Sequence, residues 1–281
     1  MLKQAFLRDE AFLADIRAAE KSGGRLNLWW LGQSGFLLGD GRRYLLIDPY
    51  LSDSLTAKYA RTNLPHVRIS ERVVDPSRLD FVSLVCCSHL HTDHLDPDTL
   101  RPILRANPAL RIVTPEAIRE EAAGRLGVDP ARLLGMDDGM RRELDGFVIH
   151  GIPSAHDEPD VDAAGHRRFL GYVIEAAGRK LYHSGDTRPY DGLAERLRAF
   201  ELDIGLLPIN GRSAEQRVPG NLNVPEAVAL GLGAAMRLVV PHHFDMFEFN
   251  TADPEEFARE ARRRSLPFQV LRLGERLTLA G

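Results

Sequence analysis

Six consecutive residues, His89-Leu-His-Thr-Asp-His94, put three imidazoles and one carboxylate into a segment too short to form a helix face. Imidazole nitrogen and carboxylate oxygen are the donors that borderline and hard divalent cations take, and a catalytic ion also keeps a position open for water. With ten histidines in the chain, shuffling produces this order only roughly once in a thousand sequences, so it reads as a metal-binding run rather than a solvated polar loop. Hydrolysis by metal-activated water is the chemistry such a run supports.

Four donors in one run rarely complete a working site. Further ligands are expected at strand ends, where catalytic groups gather in α/β proteins. His156 follows Ile152-Pro-Ser-Ala at the end of an apolar run. Asp186 lies in His183-Ser-Gly-Asp-Thr187, where the glycine lets the backbone turn sharply and aim a carboxylate. His243 lies in Val240-Pro-His-His-Phe-Asp245. His150 competes weakly with His156 and reads as a packed mid-strand residue. Asp48 reads equally as an acceptor that fixes the tautomer of a ligand imidazole or as a turn former before Pro49. His183 reads more as wall than as a hydrogen-bonding member of the site. His66 and His166 sit in loops and read as solvated, although His166 could belong to a lid over the substrate.

The elements that must position these groups follow from patterning. Residues 3–20 place Phe6, Leu7, Phe12, Leu13 and Ile16 at helical spacing, and Ser22-Gly23-Gly24 stops them, so an amphipathic helix fills residues 1–22. Short apolar runs at residues 26–31, 35–38, 44–47 and 81–86, most bounded by Gly, Asp, Asn or Pro, predict strands. Residues 53–76 show no period and read as a loop beside the site or as a mobile flap. After the histidine run, helices are expected at 99–106, with Pro102 in or near the first turn, and at 115–124. Strands are expected at 110–113, 147–152, 169–176 and 179–182, the last two joined by an Ala177-Gly178 hairpin turn. Helices at 192–200, 225–232 and 254–263 then alternate with strands at 204–207, 238–240 and 270–273, and Asp253 caps the last helix. One α/β domain over residues 1–281, its sheets buried between helices, is the economical architecture.

Composition narrows the function classes. A net charge of −4 offers no general attraction to nucleic acid or to anionic membranes, and no apolar run approaches membrane-spanning length. The charged opening, Met1-Leu-Lys-Gln-Ala-Phe-Leu-Arg-Asp-Glu10, is unlike a secretory signal. The only two cysteines, Cys86 and Cys87, are adjacent and read as reduced thiols in a strand, consistent with a cytoplasmic protein.

These residues resemble the metallo-β-lactamase superfamily through nearly the whole chain. The order is Trp30-Leu-Gly-Gln-Ser-Gly-Phe36, Ile47-Asp-Pro-Tyr-Leu-Ser52, the histidine run, His156, the Ser-Gly-Asp186 turn and the late histidine. Leu170-Gly-Tyr-Val, His183-Ser-Gly-Asp-Thr187 and Pro241-His-His-Phe-Asp-Met-Phe247 look like the branch containing the L-ascorbate-6-phosphate lactonases. The resemblance implies a four-layer αβ/βα sandwich and two divalent metal ions, Zn²⁺ or Mn²⁺. His89, His91 and His156 would hold one ion, and Asp93, His94 and His243 the other, with Asp186 bridging. His243 is preferred to His242 because the family's ligand stands two residues after the proline, which leaves His242 as a neighbour that touches substrate. Asp93 would also orient the nucleophile and handle its proton.

The substrate implied is small and anionic, a sugar-phosphate lactone in its sharpest form. The alternative is a phosphodiester, cleaved by a phosphodiesterase or nuclease of the same superfamily. Redox members replace the second histidine of the run by Glu, whereas His91 is intact here. Arg188, following Asp186, and Asn210-Gly-Arg212, following a strand, are candidate substrate contacts, since a guanidinium suits phosphate or carboxylate. The acidic residues 157–162 read as a solvated loop, and 157–168 as a candidate lid. Relatives in this branch often assemble as homo-oligomers, which the resemblance allows here.

Overall fold

The computed structural model describes residues 2–22, 24–156, 161–211 and 220–279. Apolar runs bounded by turn residues become strands buried on both faces, as sheets covered by helices require. In chain order these are β1 (Leu26–Gly32), β2 (Gly35–Gly39), β3 (Tyr44–Ile47), β4 (Leu84–Cys86), β5 (Arg111–Pro115) and β6 (Leu133–Met136). There follow β7 (Arg141–Leu144), β8 (Phe147–Pro153), β9 (Leu170–Ala176), β10 (Arg179–His183), β11 (Ile204–Pro208), β12 (Val239–His242) and β13 (Arg276–Leu279). They form two mixed sheets, ordered β13-β1-β2-β3-β4-β5-β6 and β12-β11-β10-β9-β8-β7. The sheets face each other across one continuous apolar core. Contacts such as Phe36 on β2 with His183 on β10, at 5.9 Å between ring centroids, tie the two together.

The helices are α1 (Asp9–Ala19), α2 (Ser54–Tyr59), α3 (Pro97–Ala106), α4 (Arg119–Leu126), α5 (Leu193–Arg198), α6 (Val224–Gly233) and α7 (Pro254–Arg263). α4 packs on β5 and β6, α6 packs on β11, and α3 and α7 lean on α4 and α6. Helix, sheet, sheet and helix give the four-layer sandwich expected. None of the described helices is long and apolar enough to cross a membrane. In the two-residue turn between β9 and β10, Ala177 and Gly178 both have positive φ (49° and 72°), the twist that a tight hairpin needs.

The structure corrects several boundaries. The first helix starts at Asp9 rather than residue 3, because the preceding chain pairs elsewhere: Lys3 bridges Ser70, and Phe6 N–H donates to Leu273 O at 2.8 Å. Pro102 lies inside α3, not in its first turn, because Asp96 caps the helix two residues earlier than its apolar spacing implied. The hydrogen bond Pro102 forgoes would have gone to Asp98, which is exposed, so water can serve that carbonyl. Residues 270–273 are not a strand. Leu273 accepts from Phe6 N–H at 2.8 Å, and the last strand is β13 instead. β6 and β7 carry weak patterns and were not anticipated; β7 is an edge strand of alternating exposed and half-buried residues, defended by Arg141, Arg142 and Glu143. The unperiodic residues 53–76 contain α2 and then wall one side of the site.

Directly after the histidine run, Asp96 anchors the start of α3 to the α2 segment. Fully buried, it accepts from Ser52 Oγ (2.6 Å), Ser54 Oγ (2.9 Å), Thr99 N–H (3.0 Å) and Thr99 Oγ (2.6 Å). Hydrogen bonds to a buried carboxylate are each worth more than neutral ones, and their loss leaves three hydroxyl protons without this acceptor. Asp96→Ala is expected to lower unfolding free energy by about 3 kcal/mol in urea titrations, while Asp98→Ala on the exposed side stays near neutral.

Candidate metal centre

Carboxyl ends of strands from both sheets open onto one edge of the sandwich. β4 delivers residues 89–94, β8 delivers His156, β10 delivers Asp186 and β12 delivers His243. Three clusters of donors result, each with ligand atoms within 4.8 Å of one another: His89, His94 and Asp186; His91, His156 and Asp186; and Asp93, His94 and His243. All seven residues singled out in the sequence therefore converge. Asp186 belongs to two clusters. His94 also belongs to two, and the ring of His89 lies 4.5 Å from that of His91 and 4.1 Å from that of His94.

The donor atoms fit a cation. His89 Nε2, His94 Nε2 and Asp186 Oδ1 are buried with no hydrogen-bond partner, although a polar atom left so costs ~1–3 kcal/mol. His94 Nε2 and Asp186 Oδ1 lie 3.2 Å apart, and His243 Nε2 lies 3.6 Å from both Asp93 Oδ2 and Asp186 Oδ2. Burial opposes a charge on His94, but Asp186, Asp48 and Asp93 together outweigh it and hold its pKa well above the usual imidazole value. Burial likewise opposes ionisation of Asp186, yet His94 and His243 pull its pKa well below the carboxylate range. His89, by contrast, is pushed well below the imidazole range by burial and by neighbouring His94 and His91, which leaves its nitrogen lone pair available. Positive charge is favoured beside His94, and neutral nitrogen donors stand next to it.

A buried frame orients these ligands. Asp48, fully buried at φ 42°, accepts from Ser88 N–H (2.7 Å) and Ser88 Oγ (2.6 Å), and lies 2.7 Å from His94 Nδ1. With Nδ1–H donated to the carboxylate, Nε2 faces Asp186, and a cation taking the place of its proton there would meet the lone pair. Of the two readings of Asp48, the acceptor is the one the geometry supports. Gln33, also at positive φ (49°), donates from Nε2 to Asp93 Oδ2 at 2.9 Å, and its backbone carbonyl accepts from His243 backbone N–H at 3.1 Å. His243 itself adopts φ 65°. Non-glycine residues rarely adopt such angles, and here three of them surround one carboxylate–imidazole cluster. His156 stacks on Phe169 (5.4 Å, 19°), and Gly220 backs onto it so closely that a Cβ there would come within 2.5 Å of the ring.

Other candidates are placed differently. His242 is fully buried, stacked on His183 at 5.0 Å and edge-on to Phe36, with Nδ1 3.3 Å from Ser34 Oγ. It belongs to no donor cluster and reaches no substrate space, which corrects the expected substrate contact. His183 is covered too; its Nε2 donates to Ser34 O (2.9 Å) and its Nδ1 accepts from Gly185 N–H (3.0 Å). His150 pairs across the strand with Glu175 at 2.7 Å, and His166 folds onto Asp162 at 3.2 Å. Asn210 is not a substrate contact either: it donates to Asn250 (2.6 Å), accepts from Asn221 (2.9 Å) and lies beneath the surface. Arg188, half-buried, does not line the cavity over the donors. Arg212 and residues 157–160 lie outside the described residues.

Over the donors opens a cavity of about 470 Å³, reached by His91, Asp93, His156 and Asp186. The chain segment that sequence reasoning left open, together with residues 249–250, supplies much of its wall: Leu55, Lys58, Tyr59, Leu64, His66 and Phe249. His66 is thus half-buried at the cavity rather than solvated. Arg125, from α4, also lines the cavity and donates to Leu90 O and to Thr92 Oγ (2.5 Å), the residues that alternate with the first ligands of the run. Nothing in the spacing of the sequence links Arg125 or His66 to that run. Gln33 could have been found, since it sits in the turn of Trp30-Leu-Gly-Gln-Ser-Gly-Phe36.

Comparisons with known proteins agree with this geometry. A profile described as a beta-lactamase superfamily domain matches residues 43–244. A UPF0173 metal-dependent hydrolase of Opitutus terrae is 32% identical over 253 residues, covering 89% of this chain and 98% of its own. One from Methanosarcina mazei is 28% identical over 238 residues, covering 83% and 90%. Among solved structures, Igni18, a metallo hydrolase from Ignicoccus hospitalis, superposes with a TM-score of 0.67 at 23% identity, over 91% of this chain and 99% of that one. An isothiocyanate hydrolase from Delia radicum gut bacteria superposes with a TM-score of 0.71 at 19% identity, over 91% and 100%, a likeness of fold. With its ligand run, strand-end histidines and shared aspartate inside the matched span, the chain belongs to the metallo-β-lactamase superfamily, among its metal-dependent hydrolases of the UPF0173 family.

Proposed function

We propose that the enzyme works with two divalent cations, one held by His89, His91 and His156 and the other by Asp93, His94 and His243, with Asp186 serving both. It would hydrolyse a small anionic substrate, a sugar-phosphate lactone being the sharpest version, as in the lactonase branch that the sequence resembles. The observation that carries the reading is the membership of Asp186 in two donor clusters whose other members, His89, His94, His91 and His156, are all imidazoles. Histidine-and-carboxylate shells suit zinc and manganese alike.

When bound, a pair of close divalent cations lowers the pKa of water toward neutrality and stabilises the oxygen that gains charge during attack. The chain's own residues supply the rest. Asp93 is held at Oδ2 by Gln33, which leaves Oδ1 to accept a proton as the nucleophile forms. Burial opposes its ionisation, but His94 and His243 outweigh burial and keep it an acceptor. Lys58 and Arg125 on the cavity wall favour a negatively charged substrate group, whereas Arg188 does not line that wall. Leu55, Tyr59, Leu64 and Phe249 add apolar surface to the wall, which favours the exclusion of water when substrate fills the cavity. A phosphodiester would meet the same groups, so a panel of lactones, phosphodiesters and β-lactams on metal-loaded enzyme separates the readings.

His91→Ala is expected to lose activity and one equivalent of metal together by elemental analysis; retention of both overturns its ligand role. Asp48→Asn, which keeps shape but weakens the hold on His94, is expected to reduce metal affinity by roughly 10–100-fold in chelator competition. In the parent enzyme, zinc at 100 times its dissociation constant should stabilise the fold by about 2.7 kcal/mol, read as a rise in melting temperature that Asp48→Asn diminishes.

A further inference from the structure

His66 is the one imidazole on the cavity wall, among the described residues, that belongs to no donor cluster. Its ring is held on several sides. It stacks on Tyr59 (4.4 Å, 29°) and meets the edges of Phe247 (5.3 Å) and Phe249 (5.8 Å). Its backbone carbonyl accepts from Thr56 Oγ at 2.6 Å. Nδ1 lies 3.1 Å from Leu64 O. A carbonyl can only accept, so the proton resides on Nδ1 and Nε2 carries a lone pair. Nε2 is the remaining polar point of the ring, and no hydrogen bond within the described protein uses it. Burial, offset only in part by the Leu64 carbonyl and Asp93, lowers the pKa of His66 below the ordinary imidazole value, which keeps the ring neutral at pH 7.

The cavity thus presents a fixed acceptor in a wall otherwise made of Leu55, Tyr59, Leu64 and Phe249, with the cations Lys58 and Arg125 also lining it. An acceptor held by packing recognises a donor of defined position, and an analogue lacking that donor leaves it unpaired. We infer that His66 is a substrate-contacting residue whose Nε2 accepts a hydrogen bond from a hydroxyl on the non-reacting part of the substrate, so that the enzyme selects small hydroxylated anions over their deoxygenated analogues. The inference rests on the reading of the cavity given under Proposed function and narrows its substrate class.

The test uses zinc-loaded protein labelled with ¹⁵N-histidine, with gluconate as the hydroxylated anion and hexanoate as the six-carbon acid without hydroxyls. His66→Phe, which keeps the stack and removes both nitrogens, assigns the signal. Expected results are an Nδ1–H tautomer at His66, a shift of its Nε2 resonance on adding gluconate, and none with hexanoate. His66→Phe should weaken gluconate binding by about tenfold, the effect of one hydrogen bond, with zinc content unchanged. His66→Gln, which sets an amide oxygen near the position of Nε2, should recover part of the loss. A proton on Nε2, an equal response to hexanoate, or full affinity in His66→Phe overturns the assignment. If gluconate moves the resonances of His91 and His156 but not those of His66, the role of His66 fails and the cavity reading stands. If it moves no imidazole resonance, both fall.

Discussion

Buried imidazole nitrogens and carboxylate oxygens that face each other without partners set the terms for the rest of this molecule. His89 Nε2, His94 Nε2 and Asp186 Oδ1 would each be costly in a core that offered them nothing. The surrounding carboxylates favour positive charge at His94. Such an arrangement persists only where a cation repays it, so the sandwich, its bent strand ends and its strained backbone positions are intelligible as means of holding these donors together.

The fold does this with two sheets whose strands end on the same edge. Each candidate ligand outside the histidine run follows a different strand of the second sheet, while the run itself and Asp48 come from the first. The site therefore depends on the packing of sheet against sheet. Small contacts across that junction carry the alignment: Tyr172 OH donates to Cys87 O at 2.8 Å, and Leu170 N–H donates to Ser88 O at 3.0 Å. Ser88 in turn is fixed by Asp48, and Asp48 meets His94. A chain of hydrogen bonds thus runs from the hairpin strand β9 to a metal-ligand candidate, and its fully buried setting strengthens each link.

The substrate side is built differently. Its wall comes from the short helix α2, the irregular stretch after it and residues 249–250, segments without a repeating pattern. Arg68 binds that stretch to the body of the protein, donating to Asp53 (2.6 Å), to Ser52 O (2.5 Å) and to the sulfur of Met246. The donor frame and the cavity wall are separate pieces of chain, an arrangement in which the wall can change without disturbing the donors.

What the linear chain determined by itself were the features whose signal is local. Ligand types at tight spacing marked the metal run. A Gly before Asp186 marked a turn, and a Pro before the paired histidines marked a strand end. Continuous apolar runs marked strands buried on both faces, so most of the strand and helix assignments followed. The tertiary structure alone decided what depends on distant partners. For the paired histidines it supplied only the cause: His243, already preferred from the family resemblance, faces the donors where the backbone turns at φ 65°, while His242 packs on His183 beneath. Asn210 is consumed by two other amides, and Arg125 reaches the histidine run from a helix more than thirty residues away. His66 lies against the cavity because Tyr59, Phe247 and Phe249 fold around it. Spacing along the chain encodes which groups share a strand end. Which of them face the same space is fixed only when the two sheets close on one another and burial forces every polar atom to find a partner.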